Sequence, residues 1–295
     1  MNAKTVWKFG GLSTKGLLRG VLRNALKNEL LERASGLAFD FLFSLFPLLF
    51  ILLAVFNLFA SRSLQLRISL LAYFADFLPA PAFQLLNSIT GELAAGRSAE
   101  KLTVGILVGL WLASGGVAAI ISSLNTAFRV QETRSWFKVR AIAVSLTLVI
   151  SILILTALGL VLVGSDLVDW LGRKFQLTSA LIYVSKAAQW PTAVLFVIFS
   201  YTLIYTFGPN VRFKRWNWVT PGAVFAALLW LIASLGFRIY LRFVNNYTVI
   251  FGSLGAAAIL LVWLYVSGLA VLIGGEINAS IERAAEREED SEVEL

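Results

Sequence analysis

The 295-residue chain has no cysteine and no histidine. Without cysteine there is no disulfide framework, no thiolate metal site and no cysteine nucleophile. Without histidine the commonest general base, the usual zinc ligands and every Ser-His or Cys-His arrangement are excluded as well. Charge is scarce: Asp, Glu, Lys and Arg make up 14% of the residues against 58% hydrophobic, far from the balance of a water-soluble domain. A phosphate-binding loop is also missing. The nearest approach, Gly11-Leu12-Ser13-Thr14-Lys15-Gly16-Leu17, lacks the Lys-Ser/Thr pair after the second glycine and follows no strand, which argues against ATP-driven pumping by this chain. The first thirty residues hold no long apolar run, so no cleavable signal peptide is expected and the first true span must act as the insertion signal.

What the chain does have is long apolar runs, at residues 34–60, 102–128, 141–164, 187–208, 221–243 and 250–275. About 20 residues at 1.5 Å each cross roughly 30 Å of hydrocarbon. The pattern predicts an all-α, polytopic transmembrane helix bundle of six spans. Residues 66–86 are apolar too, but Arg67, Asp76, Pro79, Pro81 and Gln84 interrupt them. They read as an extra helical segment after the first span, one or two amphipathic or re-entrant helices, with a seventh span as the alternative. Three regions follow: a basic segment at 1–33, the membrane domain at 34–280 and an acidic tail at 281–295.

In the leading segment Lys4, Lys8, Lys15, Arg19, Arg23 and Lys27 alternate with Val6, Trp7, Phe9, Leu12, Leu17, Leu18, Val21, Leu22 and Leu26. That suits an amphipathic helix lying on anionic headgroups, or a solvated basic arm. With six spans and this segment inside, 16 of the 25 basic residues fall on the inner side. The bias supports both termini on the cytosolic side. The tail carries seven carboxylates and two arginines from Glu282 on, without the spacing of a calcium loop, and reads as solvated and partly disordered.

Polar residues inside apolar spans are costly and commonly face a cavity or a partner. Asp40 lies about 9 Å into the first span at 1.5 Å per residue. Asn125, Tyr205, Glu276 and Asn278 are the other inner-side candidates for one polar layer. Asn57, Arg238, Tyr240, Arg242, Asn245, Asn246 and Tyr247 form an outer one, although Arg238 equally suits snorkelling to headgroups. The two depths differ too much for a direct Asp40–Arg238 salt bridge. Pro47 removes a backbone donor in the middle of the first span, so a kink is expected there, either static or a hinge beside Asp40. Small residues at Gly105/Gly109, Ala113 to Gly116 and Gly252/Gly255/Ala256 favour close helix packing.

Two connecting segments, 129–140 and 208–218, interleave basic residues with aromatic rings. Arg134, Lys138, Arg140, Arg212, Lys214 and Arg215 are therefore candidates to hold anionic lipid headgroups, and the membrane lipids are the expected partners. Nucleic-acid stacking ranks last, because neither loop is long enough to build a binding domain. RNA cleavage needs a positioned acid and base, or metals held by clustered carboxylates. The only cytosolic acid that these two loops offer is Glu132, so no enzyme, no cofactor and no metal site is expected.

Several ordered motifs carry a resemblance. Leu37-Ala38-Phe39-Asp40-Phe41-Leu42-Phe43-Ser44-Leu45-Phe46-Pro47-Leu48, the stretch Leu124-Asn125-Thr126-Ala127-Phe128 to Glu132-Thr133-Arg134, Gly208-Pro209-Asn210, Pro221-Gly222, Tyr240, Tyr247, Gly252-Ser253-Leu254-Gly255 and Gly274-Gly275-Glu276-Ile277-Asn278 resemble the bacterial YihY/BrkB membrane-protein family over about residues 20–280. The resemblance implies a six-span helical inner-membrane protein of poorly defined activity, from a family once labelled ribonuclease BN. Taken with the intramembrane charges, it yields the expectation of a secondary or passive transporter or lipid-handling permease of unknown substrate. A non-catalytic scaffold or envelope-assembly factor is the alternative.

Overall fold

The structure is a computed structural model that describes residues 7, 9–44, 99–175, 178–211, 219–243 and 247–293. Among the described residues every regular element is helical and no strand occurs. A 3-10 turn at Phe9–Gly11 leads into α1 (Thr14–Lys27), followed by α2 (30–44), α3 (Ala99–Phe128), α4 (Trp136–Phe175), α5 (Ser179–Phe207), α6 (Pro221–Phe243) and α7 (Tyr247–Val293).

Local chemistry sets the boundaries. Ser13 caps α1, its hydroxyl accepting the Gly16 N–H at 3.1 Å. At the start of α6 the Thr220 hydroxyl accepts the Ala223 N–H at 3.2 Å, and Pro221 occupies the first helical position, where its missing N–H costs nothing. Glu29 at φ 54° separates α1 from α2, and Arg129 at φ 57° ends α3, with the Val130 N–H returning to the Asn125 carbonyl at 2.9 Å. Left-handed backbone is unfavourable for residues with a Cβ, so these two junctions are held by their surroundings.

Among the described residues, five helical stretches are long and apolar enough to cross a membrane: Leu107–Phe128, Trp136–Val161, Ser179–Phe207, Pro221–Tyr240 and Ala258–Ala285. They coincide with the second to sixth runs of the sequence. Of the first run, residues 34–44 are helical and belong to α2. Its remainder, with Pro47 and Asn57, lies outside the described residues, as do the 66–86 segment, Asn245, Arg212, Lys214 and Arg215.

The core brings five helices together through small or branched side chains. Leu30, Ala34 and Leu37 of α2 meet Ile120 and Leu124 of α3, Ile204 and Tyr205 of α5, Ala223 and Ala226 of α6, and Val271 and Leu272 of α7. A second cluster joins Leu17 and Val21 of α1 to Ile277 and Ile281 of α7. The opposite face of α1 leaves Leu18, Leu22 and Leu26 exposed. Much of the bundle surface is equally apolar, with Leu107, Ile152, Ile232 and Leu235 all more than half exposed. In water that surface would be a liability, whereas hydrocarbon is its natural solvent.

The acidic segment differs from its sequence reading as a partly disordered tail. Through Val293 it is the continuation of α7, with Ile281 and Ala285 buried. Ile277, Ile281 and Ala285 recur at four-residue spacing, one helix face, and docking of α1 and Arg283 onto that face outweighs the acidic composition.

Candidate functional site

The most buried charge in the described structure is Glu276, at 0% exposure on α7. One carboxylate oxygen accepts the Asn28 side-chain amide at 3.0 Å from the α1–α2 junction. The other accepts Arg283 Nη2 at 2.7 Å and the Ser280 hydroxyl at 3.5 Å. Arg283 also donates to the Ala127 carbonyl near the end of α3, closing a clasp between α1, α3 and α7. The neighbouring left-handed residue contributes too, since Arg129 Nη2 reaches Asn24 Oδ1 at 3.4 Å.

A second set of bonds ties α3 to the end of α5. The Asn125 side-chain carbonyl accepts the Asn210 N–H at 2.7 Å, and its amide donates to Glu132 at 2.8 Å. Glu132 also accepts the Arg134 N–H at 3.0 Å and forms a two-pronged ion pair with that guanidinium at 2.8 and 2.7 Å. Arg134 in turn donates to the Gly208 carbonyl at 2.8 Å, while the Asn210 amide donates to the Gln131 carbonyl and the Thr133 hydroxyl. The Arg134 hydrogen bonds hold the Glu132 carboxyl at about 2, well below the usual 4.5. A carboxylate so strongly stabilised is a poor proton acceptor near neutral pH.

The third set lies where α6 crosses α7. Asn278 accepts the Gly222 N–H at 2.9 Å and donates to the Thr220 hydroxyl at 3.0 Å, and Tyr205 donates to the Val271 carbonyl at 2.7 Å. Gly222 and Gly274 let the two backbones touch here. A Cβ on Gly274 would sit 2.6 Å from the Gly222 carbonyl oxygen and 2.7 Å from the Ala226 Cβ, closer than real side chains come. Only glycine admits that approach.

The structure thus brings Asn125, Tyr205, Glu276 and Asn278 to the same end of the core, each with partners of its own. Asp40 stands apart. It lies ten residues, about 15 Å, along α2 from Leu30, half-buried and without a hydrogen-bond or ion-pair partner among the described residues. Arg238 is exposed on the far part of α6, and no ion pair joins it to Asp40. Arg242 is helical, but its side chain is not among those described. Of the headgroup candidates, Arg134 turns into the network, and Arg140 packs over the Trp111 ring at 4.4 Å while donating to that residue's carbonyl. Lys138 stays exposed. Among the described residues no three His, Cys, Asp or Glu side chains group so as to hold a metal ion.

The family model described as virulence factor BrkB matches residues 21–294. The chain belongs to the BrkB family. Among the curated BrkB-family relatives, the "putative ribonuclease-like protein YfkH" of Bacillus subtilis is 34% identical over 253 residues, 85% of this chain and 90% of that one. A "UPF0761 membrane protein" of Tolumonas auensis is 28% identical over 84% of this chain and 79% of its own, and one from Idiomarina loihiensis is 31% identical over 72% and 71%. No solved structure matches the chain.

In this BrkB-family bundle the sequence missed Asn24, Asn28, Asn210, Thr220 and Arg283, all partners in the network. They lie outside the apolar runs, where polarity is ordinary and gives no signal. Gln189 is different: it sits inside a run, is buried against Gly164, and its amide nitrogen has no partner among the described residues. The same rule that singled out Asp40 would have found it.

Proposed function

We propose that the protein is a secondary or passive permease of the bacterial inner membrane, handling a lipid or similar amphiphile, with both termini in the cytosol. The observation that carries this reading is Asp40. A carboxylate deep along an apolar span is costly, and its neighbours in the core spend their polar groups on one another. A charge kept at that cost without a structural partner among the described residues belongs on a substrate or ion path. Arg238, toward the far end of α6, supplies the second polar station.

The exposed leucines of α1, flanked by Lys15, Arg19 and Arg23, suit a helix half-sunk in a leaflet rich in anionic lipid, with Lys138 offering a further headgroup contact. The ribonuclease in the relative's name finds no support in these residues. The chain lacks histidine, Glu132 is held as a paired carboxylate, and Glu276 is fully buried.

The test is transport or scrambling of fluorescent phospholipid in proteoliposomes. Asp40→Asn together with Arg238→Gln should reduce the rate at least tenfold while leaving the melting temperature unchanged; an unaltered rate removes the proposed path. A scaffold is the second reading, favoured by the near-complete internal pairing of the Glu276 and Asn125 networks. It predicts no flux from the unmodified protein.

A further inference from the structure

Beyond the close crossing at Gly222 and Gly274, α6 and α7 wall a cavity of about 350 Å³. That volume is in the range of small-ligand sites, about 300–1,000 Å³. Its walls are almost wholly apolar. Trp230, Phe237 and Tyr240 come from α6, and Val262, Trp263 and Val266 from α7. Trp230 and Trp263 meet edge to face at 6.3 Å, and the Trp230 N–H is satisfied by the Ser267 hydroxyl at 3.2 Å, so the floor presents ring surface rather than donors. The Ser234 hydroxyl oxygen is buried on this wall and has no partner among the described residues. Arg238 stands one helical turn beyond Ser234, about 6 Å further along the axis, and is exposed.

We propose that this wedge is a binding site for an anionic phospholipid of the leaflet at the Arg238 end, with one acyl chain lying against the Trp230–Trp263 ring pair and Val266. Depth, shape and charge agree on that occupant. Trp230 is nine residues from Pro221, about 13 Å along the helix and near the middle of a ~30 Å core, whereas Tyr240 ends the apolar stretch Pro221–Tyr240. The groove therefore runs from mid-bilayer to a headgroup boundary, the path of an acyl chain. The Arg238 guanidinium meets the phosphate there, as arginine pairs with phosphate oxygens. The inference deepens the lipid-handling reading by naming the lipid and where it sits.

The experiment reads binding without flux. Full-length protein is reconstituted in phosphatidylcholine vesicles containing a few per cent of phosphatidylglycerol with brominated acyl chains, which quench tryptophan on contact. The reverse labelling, brominated phosphatidylcholine as the minor lipid, is the control. The quenched component should be the one lost in Trp230→Phe/Trp263→Phe. Brominated phosphatidylglycerol should quench it about fivefold more effectively per molecule than brominated phosphatidylcholine, the preference expected of one basic group near the surface. Arg238→Gln should bring that ratio to about one.

Gly236 lines the wedge, and a Cβ there meets no atom within 4 Å, so Gly236→Leu adds bulk at the wedge from a position whose Cβ has room. It should abolish quenching by either lipid at these two rings. Quenching that merely follows each lipid's share of the bilayer and survives Gly236→Leu would overturn the proposal. Selective binding in a protein that moves no lipid would uphold the site and remove only the permease reading.

Discussion

Replacing Arg283 by methionine tests whether the α7 extension is locked to the bundle. The change keeps an unbranched side chain and removes the charge that faces Glu276. Glu276 is 0% exposed and Arg283 18%, so little water is at hand to take over. Breaking a buried pair by deleting one partner costs about 3–5 kcal/mol. Here the Asn28 amide and the Ser280 hydroxyl stay on the carboxylate, which argues for the lower end, about 3 kcal/mol. That is roughly a hundredfold shift in the folded-to-unfolded ratio.

Unfolding of the detergent-solubilised chain in mixed micelles, followed by circular dichroism, measures it. Arg287→Met, one turn on and exposed, is the control and should fall within about 0.5 kcal/mol of the unmodified chain. Adding Glu276→Gln to Arg283→Met should cost much less than the sum of the two single changes, because each removes the same bond. The penalty should also persist in 1 M salt, since screening scarcely reaches a buried pair. If Arg283→Met and Arg287→Met melt alike, the clasp contributes nothing, and the buried pair is no lock.

Two further predictions concern the same end of the bundle. Gly274→Ala forces a methyl against the Gly222 carbonyl and the Ala226 Cβ, and should destabilise by more than about 3 kcal/mol, whereas Gly159→Ala, whose Cβ meets nothing within 4 Å, should be neutral or stabilising by up to about 1 kcal/mol in the same melt. The Glu132 carboxyl lies lower in the folded chain, about 2, than its usual 4.5, so its contribution is fully present above pH 4.5 and is lost as pH falls from there toward 2. With solvent screening of this partly exposed pair it amounts to about 1–2 kcal/mol, and Glu132→Gln should flatten the acid limb of a stability-against-pH curve by that much.

Apolar length was the most legible property of the sequence. A ~20-residue run needs no long-range information to be read as a span, and five of the six runs reappear as helices long enough to cross a membrane. Asn125 and Tyr205 were legible for the converse reason, because polarity inside such a run is an exception, and Glu276 and Asn278 because they follow directly on the sixth run. Their partners were not. Asn28 and Asn210 look like any loop asparagine, and what makes them matter is burial against residues 248 and 85 positions away. Arg283 was hidden by its neighbours: a segment dense in carboxylates reads as solvated, and the four-residue spacing of Ile277, Ile281 and Ala285 is a weaker signal than seven acids. The start of α2 was less legible than its apolar core: the helix begins at Leu30, four residues before the apolar run, because Leu30 packs into the bundle core.

The contact between Gly222 and Gly274 gives the α6–α7 pair a fulcrum. Backbone against backbone leaves nothing compressible there, and the Asn278 bond to the Gly222 N–H fixes the register of the two helices at that point. Tyr240 is 18 residues away, about 27 Å along a stiff rod, so a swing of only about 5° moves the far end by about 2 Å. Angular play too small to disturb a single hydrogen bond at the glycines is thereby magnified into the width of a methylene group at the mouth.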